Sequence, residues 1–214
     1  MATFEFYLSL IRPYLQNKSS ALDIGCADGG FLDVLKTEKF ENLEGIELNQ
    51  EMFEATGQRF KLFDQPIETV ETGRKYDLIT LFDVLEHIPD LEAAATNIHR
   101  FLDEKGIVVI LTPDYNNLQR KIKGRNWFQF KPEEHINYFT RKRITSFLKE
   151  NNFEVLHVSN GVSLVNKEFI KDRLNRYNYS FLEFLFSVFG SLFFINRKFI
   201  KVSNSSIFVI ARRA

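Results

Sequence analysis

Short apolar runs bounded by glycine or polar clusters recur seven times along this chain, and stretches with helical spacing separate most of them. The runs cover 21–24, 43–48, 59–63, 76–82, 107–111, 153–159 and 207–211. Helical spacing covers 30–36, 50–56, 91–102 and 140–150, the last with Thr140 placed as an N-cap and Ile144, Phe147 and Leu148 facing inward. Such alternation is the pattern of an α/β protein built on a mostly parallel sheet. Two regions break it, 114–137 and 161–204, so the 214 residues read as one domain with two elaborations.

Charge narrows the range of functions. With 28 basic and 28 acidic side chains the net charge is zero, which argues against a protein that coats nucleic acid and so needs a broad basic field. Cys26 is the single cysteine; it excludes a disulfide framework and fits a reducing compartment. Residues 1–10 carry Glu5 and no basic residue ahead of their apolar positions, unlike an export signal, so a cytoplasmic location is expected.

The first run leads into Leu22-Asp23-Ile24-Gly25-Cys26-Ala27-Asp28-Gly29-Gly30. Glycines at a strand-to-helix turn let a ligand approach the backbone, and the helix start offers free amides. The second run ends in Glu47-Leu48-Asn49, a carboxylate placed to accept from both hydroxyls of a ribose. Together they point to a nucleoside-bearing ligand. The third ends in Phe63-Asp64, where the ring is expected to flank the base and the carboxylate to meet its amino edge. NAD and S-adenosylmethionine both contain such a nucleoside. The dinucleotide fingerprint wants glycine where Ala27 stands, and Asp28 adds negative charge where a diphosphate would sit. Asp23 likewise favours a ligand with an ammonium or sulfonium. An NAD-dependent oxidoreductase remains the alternative enzyme.

These residues, with the fourth-run sequence Asp77-Leu78-Ile79-Thr80-Leu81-Phe82-Asp83-Val84-Leu85-Glu86-His87-Ile88-Pro89-Asp90, resemble the class I S-adenosylmethionine-dependent methyltransferases. More narrowly they are similar to the branch holding ubiquinone-biosynthesis O-methyltransferases and polysaccharide-pathway methyltransferases. The resemblance covers about residues 19–160 and the final strand. It implies a doubly wound, Rossmann-like sheet of seven strands, mostly parallel with the last antiparallel, and here with a helical insertion before that strand. It implies S-adenosylmethionine held by Asp23, Gly25, Cys26, Ala27, Gly29, Glu47, Leu48, Phe63, Asp64, Phe82 and Asp83, and O-methylation of a small or lipid-linked metabolite. Ala27 departs from the family, which has glycine there. A cofactor-binding protein without an acceptor site is the non-enzymatic alternative.

Methyl transfer is an in-line displacement, so the protein aligns the nucleophile and, for a hydroxyl, removes its proton. Suitable groups lie beyond the fourth and fifth strands: Asp83, Glu86 and His87, and downstream His135 within Glu133-Glu134-His135-Ile136-Asn137-Tyr138. His135 is the first expectation for the base, with His87 beside it. Asp83, Glu86, His87 and His135 also form a set that could hold a divalent cation. Relatives with Glu-x-x-Glu-His here use a metal; Asp83 gives this chain a shorter reach.

The 114–137 segment reads as a lid. Arg120, Arg125, Trp127 and Tyr138 are expected to meet an anionic or aromatic acceptor, a small molecule or a lipid-linked one, with nucleic acid the minority partner. Seven of the 23 phenylalanines fall between Phe181 and Phe199, inside the 161–204 insertion. Its apolar stretch is shorter than the ~20 residues that span a bilayer. Flanked by arginine and lysine, 177–201 could pack on the fold, roof an acceptor pocket or rest on a membrane surface.

Overall fold

Runs apolar on consecutive residues belong inside a sheet covered on both faces, and that is where they lie. The computed structural model describes residues 1–170 and 198–214. Its strands are β1 (Ser20–Ile24), β2 (Asn42–Ile46), β3 (Lys61–Phe63), β4 (Tyr76–Phe82), β5 (Leu102–Pro113), β6 (Phe153–Val165) and β7 (Ile200–Arg213). They form one seven-stranded sheet in the order β3-β2-β1-β4-β5-β7-β6. β7 runs antiparallel to both its neighbours, and the other pairings are parallel.

Helices α1 (Ala2–Ile11), α2 (Gly30–Thr37), α3 (Gln50–Gly57), α4 (Leu91–Phe101), α5 (Leu118–Lys123) and α6 (Arg141–Glu150) accompany the strands, with short 3-10 turns. Alternate strand residues separate two cores. Ile79, Val108, Ile110 and Val209 face α4 and α6 through Ala94, Ile98, Ile144 and Phe147. Leu78, Val109, Phe208 and Ile210 face α1 and α2 through Tyr7, Leu8, Ile11, Phe31 and Leu35. Thr140 caps α6 as expected, its Oγ1 accepting from the Arg143 amide at 3.2 Å.

Three features depart from the sequence reading. The strand expected at 59–63 keeps only 61–63, because Arg59 turns back to hydrogen-bond the Asp28 carbonyl and pair with Asp33. The insertion expected over 161–204 narrows to 166–199, since β6 and β7 continue as a ladder from Val162↔Ser203 to Val165↔Ile200. Residues 171–197, which contain most of the 177–201 aromatic segment, lie outside the described residues. Third, α1 was not anticipated. It covers the open edge of β6, where Tyr7 Oη accepts the Val162 amide at 2.9 Å and Thr3 Oγ1 the Leu164 amide at 3.0 Å. None of the described helices is long and apolar enough to cross a membrane.

Candidate active site

The carboxyl end of β1 turns sharply. Gly25 has φ +71°, and its amide and that of Cys26 both donate to the Ile46 carbonyl, at 2.8 and 3.1 Å. A Cβ at Gly25 would stand 2.4 Å from Val84 Cγ2, so glycine answers both a conformational and a steric demand. Ala27 also lies in the left-handed region, at φ +46°. Its amide donates to Glu47 Oε2 at 2.8 Å, while the Asn49 amide donates to Oε1 at 2.7 Å. Each carboxylate oxygen keeps a further acceptor direction, which suits two vicinal hydroxyls. Cys26 Sγ points inward; burial, chiefly, pushes its thiol up to about 12.

Asp23 is buried one residue before the end of β1. Thr80, opposite it in the β1–β4 register, donates to its Oδ1 at 2.6 Å. Burial raises its carboxyl to about 7, with Thr80 opposing and Glu47 reinforcing the rise. An acid held against its preference for water at a cleft end suits a cationic ligand. The Gly30 amide at the start of α2 is taken by Asp28 Oδ1 at 3.0 Å, so the place where a dinucleotide would set its diphosphate holds a protein carboxylate.

Beside the turn lies a cavity of about 200 Å³ lined by Gly25, Glu47, Leu48, Ile67, Val84, His87 and Ile88, among others. Its mostly apolar walls, with Glu47 and Glu68 as the two carboxylates, fit the nucleoside end of the cofactor. Phe63 stands beside Glu47, whose amide donates to its carbonyl at 3.1 Å, but its ring packs on the core with Lys61 Nζ 4.8 Å over it, and Asp64 is exposed. Phe82 joins an aromatic column with Phe4, Tyr7 and Phe31. Thr80, Val84, Ile67 and Ile88 were not singled out from sequence. Thr80 alone left a signal there, as a polar residue within an apolar run.

On the acceptor side Asp83 has φ +55° and donates its amide to the Leu111 carbonyl at 2.8 Å. It is open to the cleft, yet its concave setting raises its carboxyl to about 6 against the opposing effect of His87. Glu86 is buried, accepts from Thr112 Oγ1 at 2.9 Å, and is raised by burial to about 7. Its carbonyl accepts the Ile136 and Asn137 amides, which fixes the returning end of the 114–137 segment against the end of β4. His87 is exposed, with Nδ1 2.7 Å from the Glu134 carbonyl. His135 is buried, its ring edge-to-face with His87 at 4.8 Å, and burial, chiefly, lowers its pKa. Ligand atoms of Glu86, His87 and His135 lie within 4.8 Å of one another; Asp83 is outside that group.

The residues expected to meet the acceptor divide. Arg120 sits 4.5 Å over the Tyr115 ring and 5.7 Å over Phe130, and Tyr138 lies 5.0 and 5.6 Å from the same two rings. Trp127 is buried beside Tyr115. Arg125 is exposed on the following turn, away from this cluster of ring contacts.

Fold, acidic turn and nucleoside cavity together define a class I S-adenosylmethionine-dependent methyltransferase. The chain belongs to the family described as Methyltransferase domain, which matches residues 4–158. An S-adenosylmethionine-dependent methyltransferase from Clostridium acetobutylicum ATCC 824 shares the fold, with TM-score 0.68 and 17% identity over 99% of this chain and 90% of that one. So does magnesium protoporphyrin IX methyltransferase from Synechocystis PCC 6803 with bound SAM, with TM-score 0.60 and 13% identity over 100% and 79%. Juvenile hormone acid O-methyltransferase of Bombyx mori is 27% identical over 136 residues, 55% of this chain and 47% of that protein. The chain thus spans about half the length of that curated relative. Family membership selects S-adenosylmethionine over NAD as the cofactor.

Proposed function

We propose that the chain transfers a methyl group to an oxygen of a small or lipid-linked metabolite, in the cleft between the end of β4 and the lid. The observation that carries this is the His87 imidazole. A carbonyl only accepts, so Nδ1 bonded to the Glu134 carbonyl holds the proton, and the neutral ring keeps its lone pair on Nε2, at an exposed position beside the cofactor cavity. An imidazole oriented in this way can take the proton of an acceptor hydroxyl. The expectation of His135 as base is modified accordingly: buried behind His87, it holds that ring in place through the edge-to-face contact. When bound, S-adenosylmethionine supplies a sulfonium methyl whose C–S bond breaks toward sulfur as the oxygen–carbon bond forms. Asp23 and Glu47 orient the donor, and Gly25 lets it approach. Kinship with the ubiquinone and polysaccharide branch belongs to this proposal and rests on the 83–90 motif. So does an acid acceptor, which the name of the Bombyx mori relative suggests; a carboxylate would need no base.

The test is S-adenosylhomocysteine formation over a panel of hydroxy and carboxy metabolites. His87→Gln should slow transfer to hydroxyls by about 10²–10⁴ and spare carboxylates. Unchanged turnover on a hydroxyl overturns the base assignment.

The grouping of Glu86, His87 and His135 favours a second reading, a divalent cation that binds and acidifies the acceptor oxygen. Two imidazoles and a carboxylate fit such an ion. Loss of turnover on chelation and its return with Mg²⁺ or Mn²⁺ would support it; full turnover in chelator removes it.

A further inference from the structure

The lid contains a group of buried donors with nothing to donate to. Arg120 Nε and Trp127 Nε1 are shut off from water and have no hydrogen-bond partner, and Tyr138 Oη, in the same cluster of rings, lies against the Lys131 backbone. Buried polar groups in folded proteins nearly always have partners, so two orphans in one cluster of rings call for an explanation. Both can only donate. Arg120 directs one N–H to Tyr115 Oη at 2.7 Å, and no carboxylate pairs with it among the described residues. A water could satisfy the donors but would give the half-buried guanidinium, set against aromatic rings, no counter-charge. An oxyanion supplies acceptors and charge together.

We propose that Arg120, Trp127 and Tyr138 anchor an oxyanion at one end of the methyl acceptor, a carboxylate or a phosphate monoester. Tyr115 and Phe130 flank the guanidinium and give the rest of the acceptor a stacking surface. His135 links this anchor to the reaction site: its ring lies 6.4 Å from Tyr138 and 4.8 Å from His87. The substrate class is therefore a molecule with two functional ends, an anion held in the lid and an oxygen nucleophile presented at His87. That role for the far end rests on the methyl-transfer reading above; the binding of an oxyanion does not.

Trp127 is the only tryptophan in the chain, so its fluorescence reports from inside the proposed anchor. The full chain, saturated with S-adenosylhomocysteine, would be titrated with benzoate, phenyl phosphate and, as a neutral match, benzyl alcohol. At least one oxyanion should change the emission saturably and the alcohol should not; which oxyanion binds identifies the group. Arg120→Lys, which keeps the charge and loses the fork, and Tyr138→Phe, which loses only the hydroxyl, should each weaken binding about tenfold, the loss of one charge-assisted hydrogen bond. Calorimetry should find S-adenosylhomocysteine affinity unchanged in both. No response to either oxyanion, an equal response to the alcohol, or full oxyanion affinity in variants that bind the cofactor product would overturn the anchor. Oxyanion binding without methylation of any hydroxylated oxyanion would overturn the hydroxyl reading and leave the anchor standing. Methylation of neutral acceptors alone would do the reverse.

Discussion

Replacing Asp23 by Asn should stabilise the cofactor-free protein and weaken cofactor binding, with the first effect depending on pH. Asn keeps an oxygen to accept from Thr80, so the hydrogen bond at 2.6 Å survives and the charge is what changes. Burial raises the Asp23 carboxyl from 3.8 to about 7. Below 3.8 both folded and unfolded chains hold the proton, and the acid has no effect on stability. Between 3.8 and about 7 the unfolded chain ionises while the folded one stays protonated, so stability falls as pH rises; above 7 both are ionised and the deficit is constant. At 1.36 kcal/mol per pH unit, the deficit is about 2 kcal/mol at pH 5 and about 4 kcal/mol at pH 8. Urea unfolding of wild type and Asp23→Asn at the two pH values should therefore give a gap that widens by about 2 kcal/mol toward pH 8. Calorimetry with S-adenosylmethionine should show affinity reduced about 10- to 100-fold, the loss of a hydrogen bond to a charged group. A stability gap independent of pH, or unaltered cofactor affinity, would refute the assignment of Asp23 as an acid held at the expense of stability.

Other substitutions address the turn and the sheet edge. Gly25→Ala has to adopt φ +71° with its methyl 2.4 Å from Val84 Cγ2, so it should destabilise by about 2–4 kcal/mol. Urea midpoint and cofactor affinity should fall together, and a neutral result would show that Val84 yields freely. Ala27→Gly relieves a left-handed alanine at φ +46° and should raise stability by up to about 1 kcal/mol after the unfolded-state entropy of glycine is counted; a lower urea midpoint would contradict that. Tyr7→Phe leaves the Val162 amide and the Asn204 side-chain amide without their shared acceptor, at a cost of about 1–3 kcal/mol. Hydrogen exchange at Val162 should accelerate, and unchanged protection would mean that α1 does not secure the edge.

What could be read from the sequence follows from how local each constraint is. The strands were legible because interior strands are apolar on consecutive residues, as Leu78–Leu81 and Val108–Leu111 show. The glycine turn and Glu47 were legible because they occupy adjacent strand ends at a fixed spacing. α1 was not, since the contacts that give it a purpose lie 155 and 161 residues away. The Asp23–Thr80 pair depends on strand register, which periodicity does not set. The relative placement of the two histidines escaped for a similar reason. Sequence gives each the same chemistry, while the return of 134–137 along the Glu86 carbonyl buries His135 and leaves His87 exposed.

Zero net charge now has a spatial meaning. Asp23, Glu47, Asp83 and Glu86 gather at the carboxyl ends of β1, β2 and β4; burial raises Asp23 and Glu86 toward neutrality, and the concave setting of Asp83 does the same to it. A cation beside them permits ionisation that burial otherwise opposes, which favours the sulfonium form of the cofactor. Transfer converts that sulfonium to a neutral thioether, so the acidic side loses the charge that stabilised it at the moment the methyl leaves. The 114–137 segment carries the opposite demand, an arginine among its rings without a counter-ion among the described residues. On the proposed reading, charge of one sign holds the donor and charge of the other suits the acceptor, with His87 at the boundary. The same separation that positions two substrates therefore weakens the hold on one product as soon as it forms.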